Sequence, residues 1–133
     1  MTLQISNGQG YLIVQMPAEV DIANAETVRQ QLRDLCRSQL DAGSRNSVTS
    51  VVVDWSASSI LTMAGLTVLE DFRLAAAEAR TPVKVVVSRR LPRKVLEMWG
   101  LNDVVPLYES VDHAVADGTE SSERGRTLDR ERS

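Results

Sequence analysis

Two short aliphatic runs, Val51-Val52-Val53 and Val83-Lys84-Val85-Val86-Val87, most constrain what this chain can fold into. Consecutive β-branched residues without polar alternation read as strands buried on both faces, the condition of a sheet covered by helices. Between them, Leu66, Leu69, Phe72, Ala76 and Ala79 recur at helical spacing and give a helix from Met63 to about Arg80. Thr81-Pro82 ends it. Asp54 closes the first run, and a Ser-rich loop leads to Gly65-Leu66 at the start of that helix. A loop leaving the carboxyl end of a central strand and entering a helix is where open α/β sheets place their function. The helix start offers free N–H groups and partial positive charge, which suit a phosphate or a partner's carboxylate.

The flanking segments extend this pattern. Leu3 to Ser6 and Tyr11 to Met16 are strand candidates joined by Asn7-Gly8-Gln9-Gly10, and Asn-Gly favours a tight antiparallel hairpin. Ala18-Glu19-Val20-Asp21 forms an exit loop, and Asn24 is the expected N-cap of a helix carrying Val28, Leu32, Leu35, Cys36 and Leu40. Asp41 to Ser47 is polar and reads as a loop before the strand Val48 to Asp54. Beyond the second valine run, Pro92 suits a first helical turn, with Val95, Leu96 and Trp99 on one face. Gly100 stands where a left-handed C-cap is expected. Val104-Val105-Pro106-Leu107 reads as an edge strand, and Ser110 can cap a last helix through Ala116. The expected order is β-β-α-β-α-β-α-β-α. This is an α/β domain with a mixed sheet of about five strands and about four helices, packed mainly on one face by right-handed crossovers. The opposite face is then left to solvent or a partner.

The domain boundaries follow from composition. Residues 1–116 form one domain, whereas 117–133 hold one aliphatic residue, Leu128, and read as a disordered polar tail. A net charge of −3 argues against a nucleic-acid or anionic-membrane binder. The lone Cys36 permits no internal disulfide and suits a reducing compartment. No apolar run approaches the roughly 20 residues of a transmembrane helix. Met1-Thr2-Leu3-Gln4 lacks the pattern of a signal peptide, so a soluble, cytoplasmic protein is expected.

In this order and at this spacing the chain resembles the STAS domain, in particular the bacterial anti-sigma factor antagonists, over about residues 3 to 116. Ala18-Glu19-Val20-Asp21-Ile22 is similar to the family's Gly-Glu-Leu-Asp-Leu, and Val51-Val52-Val53-Asp54 to its central strand. Ala64-Gly65-Leu66-Thr67-Val68-Leu69 and Val95-Leu96-Glu97-Met98-Trp99-Gly100-Leu101 resemble its second and third helices. The resemblance implies partner switching with an anti-sigma factor of GHKL-type ATPase or kinase fold, transcription regulation in a bacterium, and no catalysis or cofactor. The family's signature is Asp-Ser-Ser-Gly or Asp-Ser-Ala-Gly, with a phosphorylated serine just before the glycine. Aligned on Gly65, this chain has Thr62, Met63 and Ala64 there, so the usual phosphoacceptor is absent. The alternatives are control at Thr62, Ser58 or Ser59, or a non-catalytic STAS interaction or scaffold module without a sigma-factor role. Such a module would be a homodimer or larger homo-oligomer, or a subunit of a signalling assembly.

The expected partner-binding residues are Glu19, Asp21, Ser58, Ser59, Thr62, Met63, Ala64, Gly65 and Leu66, on two loops leaving the same end of the sheet. Thr62 reads as an N-cap before it reads as a phosphoacceptor. Met63 has two readings, an adaptable partner contact or a side chain tucked under the helix. Asp21 and Asp54 read as turn caps, because no nucleophile or base completes a catalytic set with them. His113, the single histidine, supports neither a triad nor a metal cluster, and Cys36 reads as a buried thiol. The Arg89-Arg90 and Arg93-Lys94 cluster reads as a solvated face that can meet an acidic partner.

Overall fold

In the computed structural model, residues 3–8, 10–40, 48–58 and 61–116 are described. The expected loop 41–47 and polar tail 117–133 lie outside them, as does Ser59. Strands β1 (Gln4–Asn7), β2 (Tyr11–Gln15), β3 (Ser50–Asp54), β4 (Val83–Val86) and β5 (Leu107–Tyr108) form one sheet in sequence order. β1 and β2 are antiparallel, with Asn7 opposite Leu12, and every later pair is parallel. The positive φ of the β1–β2 connection falls on Gly10, at 86°. The helices are α1 (Ala25–Leu35), α2 (Met63–Glu78), α3 (Arg90–Met98) and α4 (residues 111–116). The last turn of α1, Cys36–Leu40, widens to π geometry. This is the mixed α/β sheet expected from the sequence.

The core follows from the alternation along each strand. Leu12 and Val14, Val51 and Val53, and Val83 and Val85 point to one face, where α1, α2 and α3 bring Val28, Leu32, Leu69, Phe72 and Leu96. Val52 and Val86 point to the other. That face is not left open as expected, because α4 crosses it and packs Ala114, with Val111 and Val115, against both valines, Ile13 and Tyr108. Lys84, buried within the second valine run, reaches this layer. Its Nζ donates to the Ala114 carbonyl at 2.9 Å and lies 5.7 Å from the centre of the Tyr108 ring. The Ala114 carbonyl of α4 thus supplies one hydrogen-bond acceptor to this buried ammonium.

Three local expectations change. Val104 and Val105 are not strand. Gly100 adopts φ 77° as expected, and a 3₁₀ turn (Leu101–Asp103) then delays the strand to Leu107–Tyr108. Asn24 does not cap α1 through its side chain. It forms a reciprocal box with Asp21: the Asp21 N–H donates to Asn24 Oδ1 at 2.8 Å and the Asn24 N–H to Asp21 Oδ1 at 3.1 Å. Two residues past the end of α2, Arg80 takes φ 59°, with the Thr81 N–H donating to the Ala76 carbonyl at 2.9 Å, a Schellman closure usually given to glycine.

Leu69, 1% exposed between α2 and the sheet, should cost about 2–5 kcal/mol when replaced by alanine. Ile22→Ala, at a position 92% exposed, should leave stability within about 0.5 kcal/mol of wild type. Urea denaturation of the two variants checks both values.

Candidate functional site

Because β2, β3 and β4 are parallel neighbours, their carboxyl ends open on one edge of the sheet. Strand spacing of about 4.8 Å sets the three exits side by side. The β2 exit carries Glu19, Asp21, Ile22 and Ala23, all exposed, while Val20 between them is buried and anchors the loop. The Asp21–Asn24 box stiffens this turn, and Asn24 Nδ2 also donates to the Glu19 carbonyl at 2.9 Å. Asp54, at the β3 exit, accepts from the Ser56 N–H at 3.0 Å. It therefore caps a turn, the role read from the sequence.

Thr62 joins the two loops. Its Oγ1 accepts from the Gly65 N–H at 3.0 Å, capping α2, and its hydroxyl donates to the Val20 carbonyl of the neighbouring loop. One hydroxyl thus satisfies an orphan helix donor and a buried-loop acceptor together. Gly65 lets the helix start lie close to the core: a Cβ there would stand 3.3 Å from Trp55 Cζ2 and 3.5 Å from Val20 Cβ. The consequence is a shared rim. Asp21, Ile22 and Ala23 face Thr62, Met63 and Ala64 across a shallow hollow of about 480 Å³.

The residues singled out in the sequence therefore divide. Glu19, Asp21 and Met63 are exposed, and Thr62 and Ala64 are half-buried. Ser58, Gly65 and Leu66 are buried, with Ser58 only 1% exposed, so they support the surface without forming it. Met63, 60% exposed, takes the outward of its two readings. Ile22, expected within the loop and motif ending at that residue but not among the contact residues, is the most exposed large apolar side chain of the described residues, at 92%. Its signal was an isoleucine between an exit-loop aspartate and an alanine, where a buried role had no strand or helix period to serve.

The chemistry available is that of contact. Among the described residues no group of three or more His, Cys, Asp and Glu side chains converges as a metal site. His113 is exposed on α4, its N–H donating to Ser110 Oγ at 3.2 Å, and Cys36 is buried. On the outer side of α2, Arg73 binds Glu70 at 3.1 and 2.5 Å. That hydrogen bond holds the Glu70 carboxyl below its ordinary value of 4.5, and the same contact raises Arg73. No described helix is long and apolar enough to cross a membrane.

Thr62→Ala should destabilise the chain by about 1–2 kcal/mol by uncapping α2 and orphaning the Val20 carbonyl, while Thr62→Ser should stay within about 0.5 kcal/mol. Paired chemical denaturation curves measure both. Glu70→Gln should cost under about 1 kcal/mol, because the pair is partly exposed. The sign follows from the depressed carboxyl: the contribution is complete above pH 4.5 and fades as pH falls through the lowered pKa. The gap between wild type and variant therefore closes in acid.

Comparison with known proteins identifies the frame on which this site is built. The family model of the STAS domain matches residues 2–114. Among solved structures, an anti-sigma factor antagonist from Mycobacterium paratuberculosis is 22% identical, with a TM-score of 0.72 over 87% of this chain and 92% of that one. A putative anti-sigma factor antagonist from Thermotoga maritima is 16% identical, with a TM-score of 0.70 over 86% and 92%. SLC26A9 matches 88% of this chain with only 21% of its own length, at 14% identity and a TM-score of 0.69. No curated relative matches in sequence. The solved structures share the overall fold, and the family model runs from ahead of β1 into α4: the chain belongs to the STAS domain family.

Proposed function

We propose that this chain is an anti-sigma factor antagonist-like regulator that works by binding, without catalysis, in the bacterial cytoplasm. Its partner is an anti-sigma factor with a GHKL-type ATPase or kinase fold. The observation that carries the reading is the hollow between the β2 exit and the start of α2, with Ile22 and Met63 displayed on its rim. Large apolar side chains held outward by a stiff, capped loop gain stability only when a partner covers them. Fold likeness to structures named as anti-sigma factor antagonists supports the choice of partner. Glu19 and Asp21 supply acidic contacts beside the apolar rim.

The antagonist acts without the usual serine switch. Ala64 stands at the position of the family's phosphoacceptor and keeps the surface in its uncharged, binding-competent state. Thr62 is not a ready substitute, since its hydroxyl is spent on the α2 cap and the Val20 carbonyl. Ser58 is buried, so a kinase reaches it only after local opening. Ser59 lies outside the described residues and stays a candidate acceptor. SpoIIAA has been solved in phosphorylated and unphosphorylated forms on this fold, each covering 98% of that chain. The partner of the present chain is then displaced by competition, or the complex persists.

A second reading is a STAS interaction module without a sigma-factor role. It is favoured by the SLC26A9 likeness, in which the fold makes up a small part of a far longer chain.

Ala64→Glu should weaken the complex with its GHKL-fold anti-sigma factor at least tenfold, by placing charge in the contact. Titration calorimetry with the candidate anti-sigma factors of the source organism measures this, and unchanged affinity would put the interface elsewhere. Ala64→Ser should restore a phosphoacceptor and gain one phosphate in intact mass when mixed with a kinase-active partner and ATP. No mass gain would count against the alignment on Gly65.

A further inference from the structure

The end of the sheet opposite the hollow carries an excess of positive charge. α1 and α2 run back against the parallel strands, so both stop near the level where β3 and β4 begin, about 23 Å along α2 from Met63. Between the two helix ends lies a cavity of about 670 Å³. That is a common size for a small-ligand site. Cys36 and Ala75 form part of its apolar wall. Its charged lining is Arg33, Arg37 and Arg80 against one carboxylate, Glu78, among the described residues. Two backbone features meet there. The last turn of α1 opens to π geometry at Cys36–Leu40, a rare turn that recurs at functional sites. Arg80 holds φ 59°, a left-handed conformation that strains an arginine and suits a glycine.

Arginines near helix carboxyl termini ordinarily answer the helix dipole. That role accounts for Arg33 and Arg37, which also pair with Asp71 at 3.5 Å and Asp34 at 3.4 Å. It does not account for Arg80. The closing carbonyls of α2 are already bonded by backbone: the Ala79 N–H donates to Ala75 and Ala76, the Arg80 N–H to Ala77 and the Thr81 N–H to Ala76. The Arg80 side chain is exposed and makes no hydrogen bond or ion pair with the described residues. Glycine would close the helix with less strain, so the guanidinium is what this position adds. The pairs of Arg33 and Arg37 are partly or fully exposed, and such pairs yield to a better-fitting acceptor at little cost. We propose that this cavity binds a small oxyanion of two or more negative charges, held by the guanidinium groups of Arg33, Arg37 and Arg80. Guanidinium forks match phosphate and carboxylate oxygens alike, so the multivalent oxyanion is the shared chemistry. Glu78 faces the same space and opposes it. The cavity lies at the far end of α2 from the hollow, so this inference goes beyond the proposed function and does not depend on it.

The test uses the full chain, ¹⁵N-labelled, titrated with inorganic pyrophosphate and separately with citrate at constant ionic strength. We expect saturable amide shifts at Arg37, Ala79 and Arg80 with at least one probe. The tighter of the two tells whether phosphate or carboxylate oxygens are preferred. Arg80→Gly should weaken binding at least about tenfold while holding or raising the thermal unfolding midpoint, because glycine suits φ 59°. Arg80→Gln, which keeps a side chain without the charge, should lose as much, and it carries the test if Arg80→Gly fails to fold. Arg80→Lys should keep part of the affinity, and Glu78→Gln should raise it by removing the opposing charge. Arg90→Gln removes an exposed cation on α3, outside the cavity, and should leave binding unchanged. Shifts that neither probe saturates overturn the proposal. So does affinity that ignores both Arg80→Gly and Arg80→Gln, or an equal loss with Arg90→Gln, which would mark attraction to the surface at large.

Discussion

The parallel pairing of β2, β3 and β4 is the constraint from which the rest follows. Val51, Val52 and Val53 are each at most 1% exposed, so β3 must be covered on both faces. Right-handed crossovers supply α1, α2 and α3 on one face, and the short strand β5 returns the chain so that α4 closes part of the other. Nothing in this arrangement selects a ligand. What it does is bring three strand exits to one edge, where residues far apart in sequence become neighbours.

The Thr62 hydroxyl turns that proximity into a surface. By capping α2 and binding the Val20 carbonyl, it fixes the helix start against the β2 exit, 42 residues away in sequence. With the loop pinned below by Val20 and stiffened by the Asp21–Asn24 box, Ile22 and Met63 have no route into the core. Exposure of these residues is thus enforced by the loop's own bonding. A surface built this way is pre-organised, so a partner does not lose binding free energy in ordering it.

Much of this was legible in the sequence because it depended on local chemistry. The valine runs marked the central strands, Gly100 a left-handed cap and Thr62 the start of α2; the hairpin formed as expected, with its positive φ on Gly10 instead of Asn7-Gly8. What escaped depended on distant contacts. Val104 and Val105 have strand propensity, yet the turn after Gly100 takes up their length. Asn24 has the right side chain for a cap, but Asp21 offers it a closer partner. Arg80 gave no hint of a positive φ, since the closure of α2 imposes it from outside. Lys84 within a valine run was unreadable as a buried cation until α4 supplied the Ala114 carbonyl. The candidate site was half legible: its loops followed from topology, whereas the burial of Ser58 and Leu66 and the exposure of Ile22 needed coordinates.

The central claim is that the edge formed by the β2 exit and the start of α2 is where a partner docks. Hydrogen–deuterium exchange of the chain, alone and with each GHKL-fold anti-sigma factor of its organism, tests it most directly. The account predicts slowed exchange at residues 19–23 and 61–67 on forming the complex, with the strands unchanged. Protection confined to α4, to α1 or to the β1 edge, or no protection with any such protein, would contradict it.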